Sequence, residues 1–431
     1  MITTTPDSTP QQDPYRWVML AGMWLIYFCF GLMVVSTAPL VKPIVEDLDL
    51  SLAAMGSLMG AWPLVYIAAA IPCGAFLDRF GLRRGLLIAA ALMTVSGLLR
   101  AAAVDYSTMF IAIATFGIGG PLVSVGAPKL ISAWFAPAER GLAMGIYITG
   151  PSLGGIIALT LTNSVLMPLA GGSWRACLLI YTGIIVLAGI AWFLISHHHA
   201  SRAQEAVSRS GGSLREQVRV FGELLARPAV RVMLLLGVGT FMFNHGINNW
   251  LPEILRTGGM PPARAGYWAA IPTAIGIFGS LIVPRLAIPR RRIAILIGLL
   301  LCAAVAASTI ARASGGALLA GLLLQGIARS ALLPLLTLVL MECDALATRY
   351  MGAAGGLFFT AAEVGGVLGP LTVGWLADLS GGFTTPLTLL TLIAVSLATL
   401  AAASRSLLAP AEPLVAPAAI EVQTRTPAPE Q

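Results

Sequence analysis

Arg329 and Glu363 are the two residues most out of place in this sequence. Each sits near the middle of a long apolar run, where a charge is costly and is kept when it is used. A guanidinium there can hold an anion. A carboxyl there can pair with that guanidinium or carry a proton. The two runs are neighbours in sequence and cross in opposite directions, so both charges fall at similar depth. A structural ion pair locking the two runs together is the competing reading. A second polar cluster is Asn244-His245-Gly246-Ile247-Asn248-Asn249. Four polar side chains around one glycine predict a broken helix on a cavity wall, with a histidine able to titrate near neutral pH; plain hydrogen-bonding roles fit these side chains equally well. Asn163, Tyr147 and Thr149 are weaker candidates for the same cavity, and Trp62 faces either the cavity or its packing neighbours.

Other chemistries are not expected. His197, His198 and His199 are adjacent, so a helix cannot turn all three toward one ion, and no Cys or carboxylate cluster supports them; no metal is predicted. There is no phosphate-binding glycine loop and hence no ATP drive, no nucleophile–base constellation and hence no enzyme, and no cofactor. The five cysteines are scattered through apolar segments and read as small hydrophobes.

The elements that hold these residues must be membrane helices. Only 10% of the 431 residues are charged and 57% are hydrophobic, with a mean hydropathy of +0.86. Runs this long and apolar read as bilayer spans. Charge and Pro/Gly clusters cut the chain into twelve: 17–41, 54–77, 84–104, 107–131, 140–168, 174–196, 230–251, 265–287, 293–311, 315–341, 350–377 and 384–407. The fold class is all-α, with twelve transmembrane helices as two six-helix bundles over 16–196 and 230–407. Residues 1–15 and 408–431 read as disordered ends. The connection 197–229 carries an amphipathic helix with Leu214, Val218, Phe221 and Leu225 on its apolar face. With alternating spans, nineteen of the 26 basic residues fall on the side of the N-terminus and six, Arg100 among them, on the other; Arg329 lies inside a span. The positive-inside rule then puts both termini in the cytoplasm. It also accounts for the net charge of +7 without a nucleic-acid partner.

The halves repeat. A shift of 209 places Pro63 on Pro272, Arg83 on Arg292 and Gly117 on Gly326; a shift of 211 places GIYITGPSLGG (145–155) on GLFFTAAEVGG (356–366). Parallel six-helix repeats build transporters with a site at the midplane between the halves.

The loop after the second span reads GAFLDRFGLRRG (74–85). Gly74, Asp78, Arg79, Gly81, Arg83 and Arg84 fill the signature of the major facilitator superfamily, which the chain resembles over about 16–407. Phe76, Leu77 and Leu82 depart from it. The resemblance implies that Asp78 and the arginines gate the cytoplasmic mouth, with Gly74 allowing close helix approach and Gly81 a tight turn. In the second half Ala287 stands where Asp78 would map. Gly150, Pro151, Gly154 and Gly155 resemble a bending motif of proton-driven exporters, although Ile146 stands where a further glycine is expected and Ile113 where an arginine is. The segments 128–129, 137–141, 249–255 and 265–266 look like the bacterial cyanate-transporter-like branch. Segments 16–20, 80–83 and 132–135 are similar to the animal choline/haem branch, but Val34 occupies the register of its aromatic, so no cage for a quaternary ammonium is carried over.

Together these features predict a secondary active transporter working by alternating access, a proton-linked carrier of a small organic or inorganic anion. It would be a monomer in a bacterial inner membrane whose partners are its small-molecule substrate, protons and the bilayer. A proton-driven exporter of amphipathic compounds is the alternative, and a non-transporting membrane receptor a more distant one. Lys129, at the end of the fourth span, is expected to snorkel to the surface.

Overall fold

A computed structural model describes residues 13–199, 201, 214–344, 346 and 350–409. The expected ends 1–12 and 410–431, and the loop segment 202–213, lie outside the described residues. The twelve long helices are α1 (Arg16–Val35), α2 (Leu52–Phe80), α3 (Leu82–Ala101), α4 (Tyr106–Trp134), α5 (Pro137–Leu161), α6 (Trp174–Ser196), α7 (Pro228–Thr257), α8 (Pro262–Leu286), α9 (Arg292–Arg312), α10 (Gly315–Glu342), α11 (Met351–Ser380) and α12 (Thr384–Ala403). Among the described residues, eleven of the twelve are long and apolar enough to cross a membrane; α8, at 25 residues, packs among them. Helices are what hydrocarbon permits, because each satisfies its backbone groups internally. The face holding Asp78 and the start of α1 is called the termini face below, and the other the opposite face.

The repeat seen in sequence is a repeat of packing. In the first half α5 lies against α1, and in the second α11 lies against α7. A Cβ on Gly154 would come 2.7 Å from the Leu32 nitrogen, and one on Gly365 2.8 Å from the Met242 nitrogen. Likewise Gly117 abuts α2 at Trp62 Cα (3.1 Å) while Gly326 abuts α8 at Pro272 Cα (2.9 Å). Matching glycines sit where matching backbones meet, as small residues do in membrane bundles. Gly365→Ala is therefore expected to push α7 from α11, because the obstacle is backbone and cannot rotate away. A loss of about 1–3 kcal/mol, read as a lower melting temperature in detergent, is the expected result; an unshifted melt would show that the contact is loose.

Two local expectations are corrected, for helix 7 and the first span. At the helix 5 motif α5 is continuous through Pro151. Gly150 and Gly154 make close contact with α1, at the Trp24 oxygen (3.0 Å) and the Leu32 nitrogen. The irregularity falls later, in a π-turn at Thr162–Leu166, with the Thr162 hydroxyl 2.6 Å from that of Tyr181. Helix 7 is also unbroken, and Gly246 packs against α11: its nitrogen would lie 2.8 Å from a Cβ on Gly369. The first span, in contrast, divides. After Val35 the chain continues through a 3-10 turn, Ala38–Leu40, and a short helix, Val41–Asp47; Pro39 and Pro43 lack the N–H groups a continuous helix needs.

The amphipathic helix Leu214–Leu225 exists and packs on the protein. Val220 and Leu224 are buried where it packs on α7 and α11. Phe221 is half-buried and Leu225 exposed; the side chains of 214–218 are outside the described residues. A ready protein surface offers tighter packing than headgroups do.

Candidate functional site

The two bundles meet along two seams, α2 against α11 and α5 against α8. On the opposite face both are tight. A Cβ on Gly56 would lie 3.1 Å from Leu371 Cα, one on Gly60 3.0 Å from the Val367 oxygen, and one on Gly374 2.8 Å from the Leu52 carbonyl carbon; Gly266 abuts the Leu159 oxygen. Two heptads further on, toward the termini face, Gly74 on α2 and Gly356 on α11 have nothing within 4 Å. The bundles therefore form a V closed at the opposite face and parted at the termini face. Gly74, expected to make a close approach, makes none in this conformation.

A cavity of about 290 Å³ lies between the bundles. Arg329 reaches it from α10, and its Nη1 donates to Thr273 Oγ1 on α8 at 2.9 Å. No carboxylate pairs with Arg329 among the described residues. Thr149 and Ser152 come from α5, and Asn244, His245 and Asn248 from α7. Trp24 Nε1 donates to Thr149 Oγ1 at 2.9 Å, and Gln325 Nε2 to Asn248 Oδ1 at 3.3 Å, so two of these walls are held in place by neighbours. The chemistry offered is one cation amid hydroxyls and amides. It suits an anion that also has hydrogen-bonding groups.

Glu363 is not the partner of Arg329. It is 7% exposed, and its Oε2 has no hydrogen-bond partner. It points into the α2–α11 seam: the place a Cβ would take on Gly366 lies 2.5 Å from Glu363 Oε2, 3.4 Å from Pro63 Cβ and 3.5 Å from His245 Cε1. His245 links the two regions. Its ring stacks on Phe241 (5.6 Å) and, across the seam, meets Trp62 at a tilt (5.8 Å).

Other candidates fall elsewhere. Asn249 Nδ2 donates to the His245 carbonyl (3.0 Å) within α7. Tyr147 is buried and stacks on Tyr27 at 5.0 Å. Asn163 Nδ2 donates to the Pro39 carbonyl (2.9 Å), lining a smaller pocket of about 160 Å³ near the opposite face with Lys42, Glu46, Glu253 and Arg256. Arg100, counted among the basic residues of the opposite side, is 2% exposed inside the first bundle. Its Nη1 donates to the Met33 carbonyl (3.2 Å) and its guanidinium lies over Phe116 at 5.4 Å; it stabilises the point where α1 ends. Sequence reasoning passed over Thr273, Ser280 and Gln325. Thr273 and Ser280 lie seven residues apart, and Gln325 one turn before Arg329; that spacing on one helix face was the available signal.

At the termini face, Asp78 forms an ion pair with Lys129 of α4. Lys129 thus finds a partner inside its bundle instead of reaching only for water. Gly81 does make the tight turn between α2 and α3, with φ of 86°. In the second bundle Arg292 Nε donates to the Ala287 carbonyl at 3.1 Å and pairs with Glu342. Arg292 is thus held by a backbone oxygen and by a carboxylate from α10.

The sequence is 25% identical to the uncharacterized transporter YycB of Bacillus subtilis, over 86% of this chain and 89% of that one. It is 25% identical to the probable sulfoacetate transporter SauU of Cupriavidus necator, over 87% and 90%, and 24% identical to the probable L-galactonate transporter of Escherichia coli, over 65% and 64%. Its fold matches a bacterial homolog of the human lysosomal transporter Spinster, solved in an inward-facing and unoccupied conformation. The TM-score there is 0.69 at 18% identity, with 92% of this chain and 96% of that one covered. The profile of the Major Facilitator Superfamily matches residues 23–370. That match covers both halves of the repeat, and the chain is a multi-pass membrane transporter that belongs to this superfamily.

Proposed function

We propose that this protein is a proton-linked carrier of a small organic anion, with Arg329 as the anion-binding residue. The observation that carries the reading is a guanidinium in the inter-bundle cavity, anchored by one threonine and unpaired with any described carboxylate. Seven neutral hydroxyl and amide side chains surround it: Thr149, Ser152, Asn244, Asn248, Thr273, Ser280 and Ser330. They favour a hydroxylated or otherwise polar monoanion, in keeping with the sulfoacetate and galactonate named for relatives. Glu363 carries the proton, at a seam that opens and closes as the bundles rock. Both termini lie in the cytoplasm of a bacterial inner membrane; burial of Arg100 strengthens the charge asymmetry by removing one basic residue from the outer count. The conformation is then open to the cytoplasm. One chain completes the cavity, so it works as a monomer.

Export of amphipathic compounds has less support, because the glycines at 150–155 are occupied by packing against α1 and the cavity centres on a charge. The test is a thermal-shift screen of the purified protein against sulfoacetate, L-galactonate and a set of cations and amphiphiles, then flux in proteoliposomes across a pH gradient. Stabilisation by an anion and its gradient-driven accumulation are expected. Stabilisation by amphiphiles alone would sink the reading.

A further inference from the structure

The closed end of the α2–α11 seam is fastened by one side chain. Asp378 is two residues from the end of α11. Its Oδ1 accepts from the Leu52 nitrogen at 3.1 Å and its Oδ2 from the Ala53 nitrogen at 2.7 Å, both on the first turn of α2 in the other bundle. Ser51 Oγ takes the next donor, the Ala54 nitrogen, at 3.0 Å. The first N–H groups of a helix have no partner within it, and its positive pole favours an anion. A carboxylate in the last turn of its own helix is in the wrong place electrostatically, since that pole is negative. Asp378 therefore does nothing for α11 by its charge and much for α2.

Its position along the seam matters equally. Below Asp378 the close approaches follow in order: Gly374 on Leu52, Gly56 on Leu371, Gly60 on Val367, and Gly366 with Pro63, before the helices part by Gly74 and Gly356. Asp378 sits at the outermost point of this zipper, where leverage against separation is greatest. The bonds also lie at an exposed site, so water can take over both N–H groups when the seam opens, and the fastening is reversible. The companion seam, α5 against α8, lacks such a cap: α8 starts on Pro262, which has no N–H to offer, and no carboxylate meets its first turn among the described residues.

We infer that Asp378 is the latch of the opposite-face gate, holding that mouth shut while the cavity faces the termini. The inference does not depend on what the cargo is. The test uses the full chain in nanodiscs with its five native cysteines replaced and spin labels at Val104→Cys and Thr385→Cys, exposed positions on the opposite face of the two bundles. Asp378→Asn is close to isosteric but presents an amide and no charge to the two donors. It is expected to raise the population with the longer inter-label distance by about tenfold, in line with losing hydrogen bonds to a charged acceptor. Hydrogen exchange at Leu52 and Ala53 in the unlabelled protein should quicken correspondingly, and Asp378→Glu should restore part of both effects. A purely structural role would lower the melting temperature without moving the distance distribution. A distribution for Asp378→Asn that superimposes on wild type overturns the latch, and if Asp378→Ala fails to fold, the asparagine variant still decides.

Discussion

Arg329→Ala is expected to abolish useful transport while the protein still inserts and purifies as a monodisperse species. The guanidinium makes one described hydrogen bond, to Thr273, so its removal leaves few groups unsatisfied in the empty protein. The loss should appear when cargo is present. Hydrogen bonds to a charged group, together with a buried charge left unpaired, amount to about 2–4 kcal/mol, or roughly 30- to 1,000-fold in affinity. The measurement is uptake of labelled sulfoacetate or L-galactonate, whichever stabilises the wild-type protein, at sub-saturating concentration. Arg329→Lys keeps the charge but loses the planar fork, and an intermediate defect of about tenfold is expected. If Arg329→Ala transported the anion normally, the guanidinium would be a packing residue and the cavity would need another ligand.

Glu363→Gln is expected to separate binding from energy coupling. The carboxyl faces the seam with Oε2 unpartnered, so the group that can balance a charge there is a proton arriving by way of the seam or the cavity. Glutamine keeps the shape and removes the titration. Exchange of labelled for unlabelled anion should continue at close to the wild-type rate, while accumulation against a gradient disappears. For one coupled proton, a step of one pH unit sustains about tenfold accumulation in the wild type; Glu363→Gln should reach only equal concentrations on the two sides. Persistent pH-driven accumulation in this variant would assign the proton to another group, with His245, 3.5 Å from the same point beside Gly366, next to be replaced. Because exchange and accumulation are read separately, failure of the coupling role leaves the anion role of Arg329 standing.

The helices were legible because hydrocarbon imposes a simple rule: backbone groups pair internally, so a span is a run of about twenty apolar residues. The repeat was legible because backbones that touch demand glycine, and glycine is visible as a letter; Gly154 with Gly365, and Gly117 with Gly326, carried it directly into packing. Arg329 was legible as a charge without a reason in lipid. Breaks were read less well. The polar cluster around Gly246 looked like a broken helix, yet it lies in a continuous one packed against α11. The real interruptions, after Val35 and at Thr162–Leu166, sit near the opposite face, where the short connections turn.

By itself the sequence determined the kind of machine: a doubled six-helix transporter, with Arg329 and Glu363 set inside apolar spans of its second half. Those are one-dimensional properties of composition, periodicity and charge sign. Which groups meet was decided only by the tertiary structure. Arg329 turned to Thr273, Glu363 to the seam, Asp78 to Lys129, and Asp378 to a helix end 326 positions away in the chain. A side chain's partner depends on the rotation of its helix and the tilt of a bundle, both set by packing summed over many residues, and no local spacing records that sum.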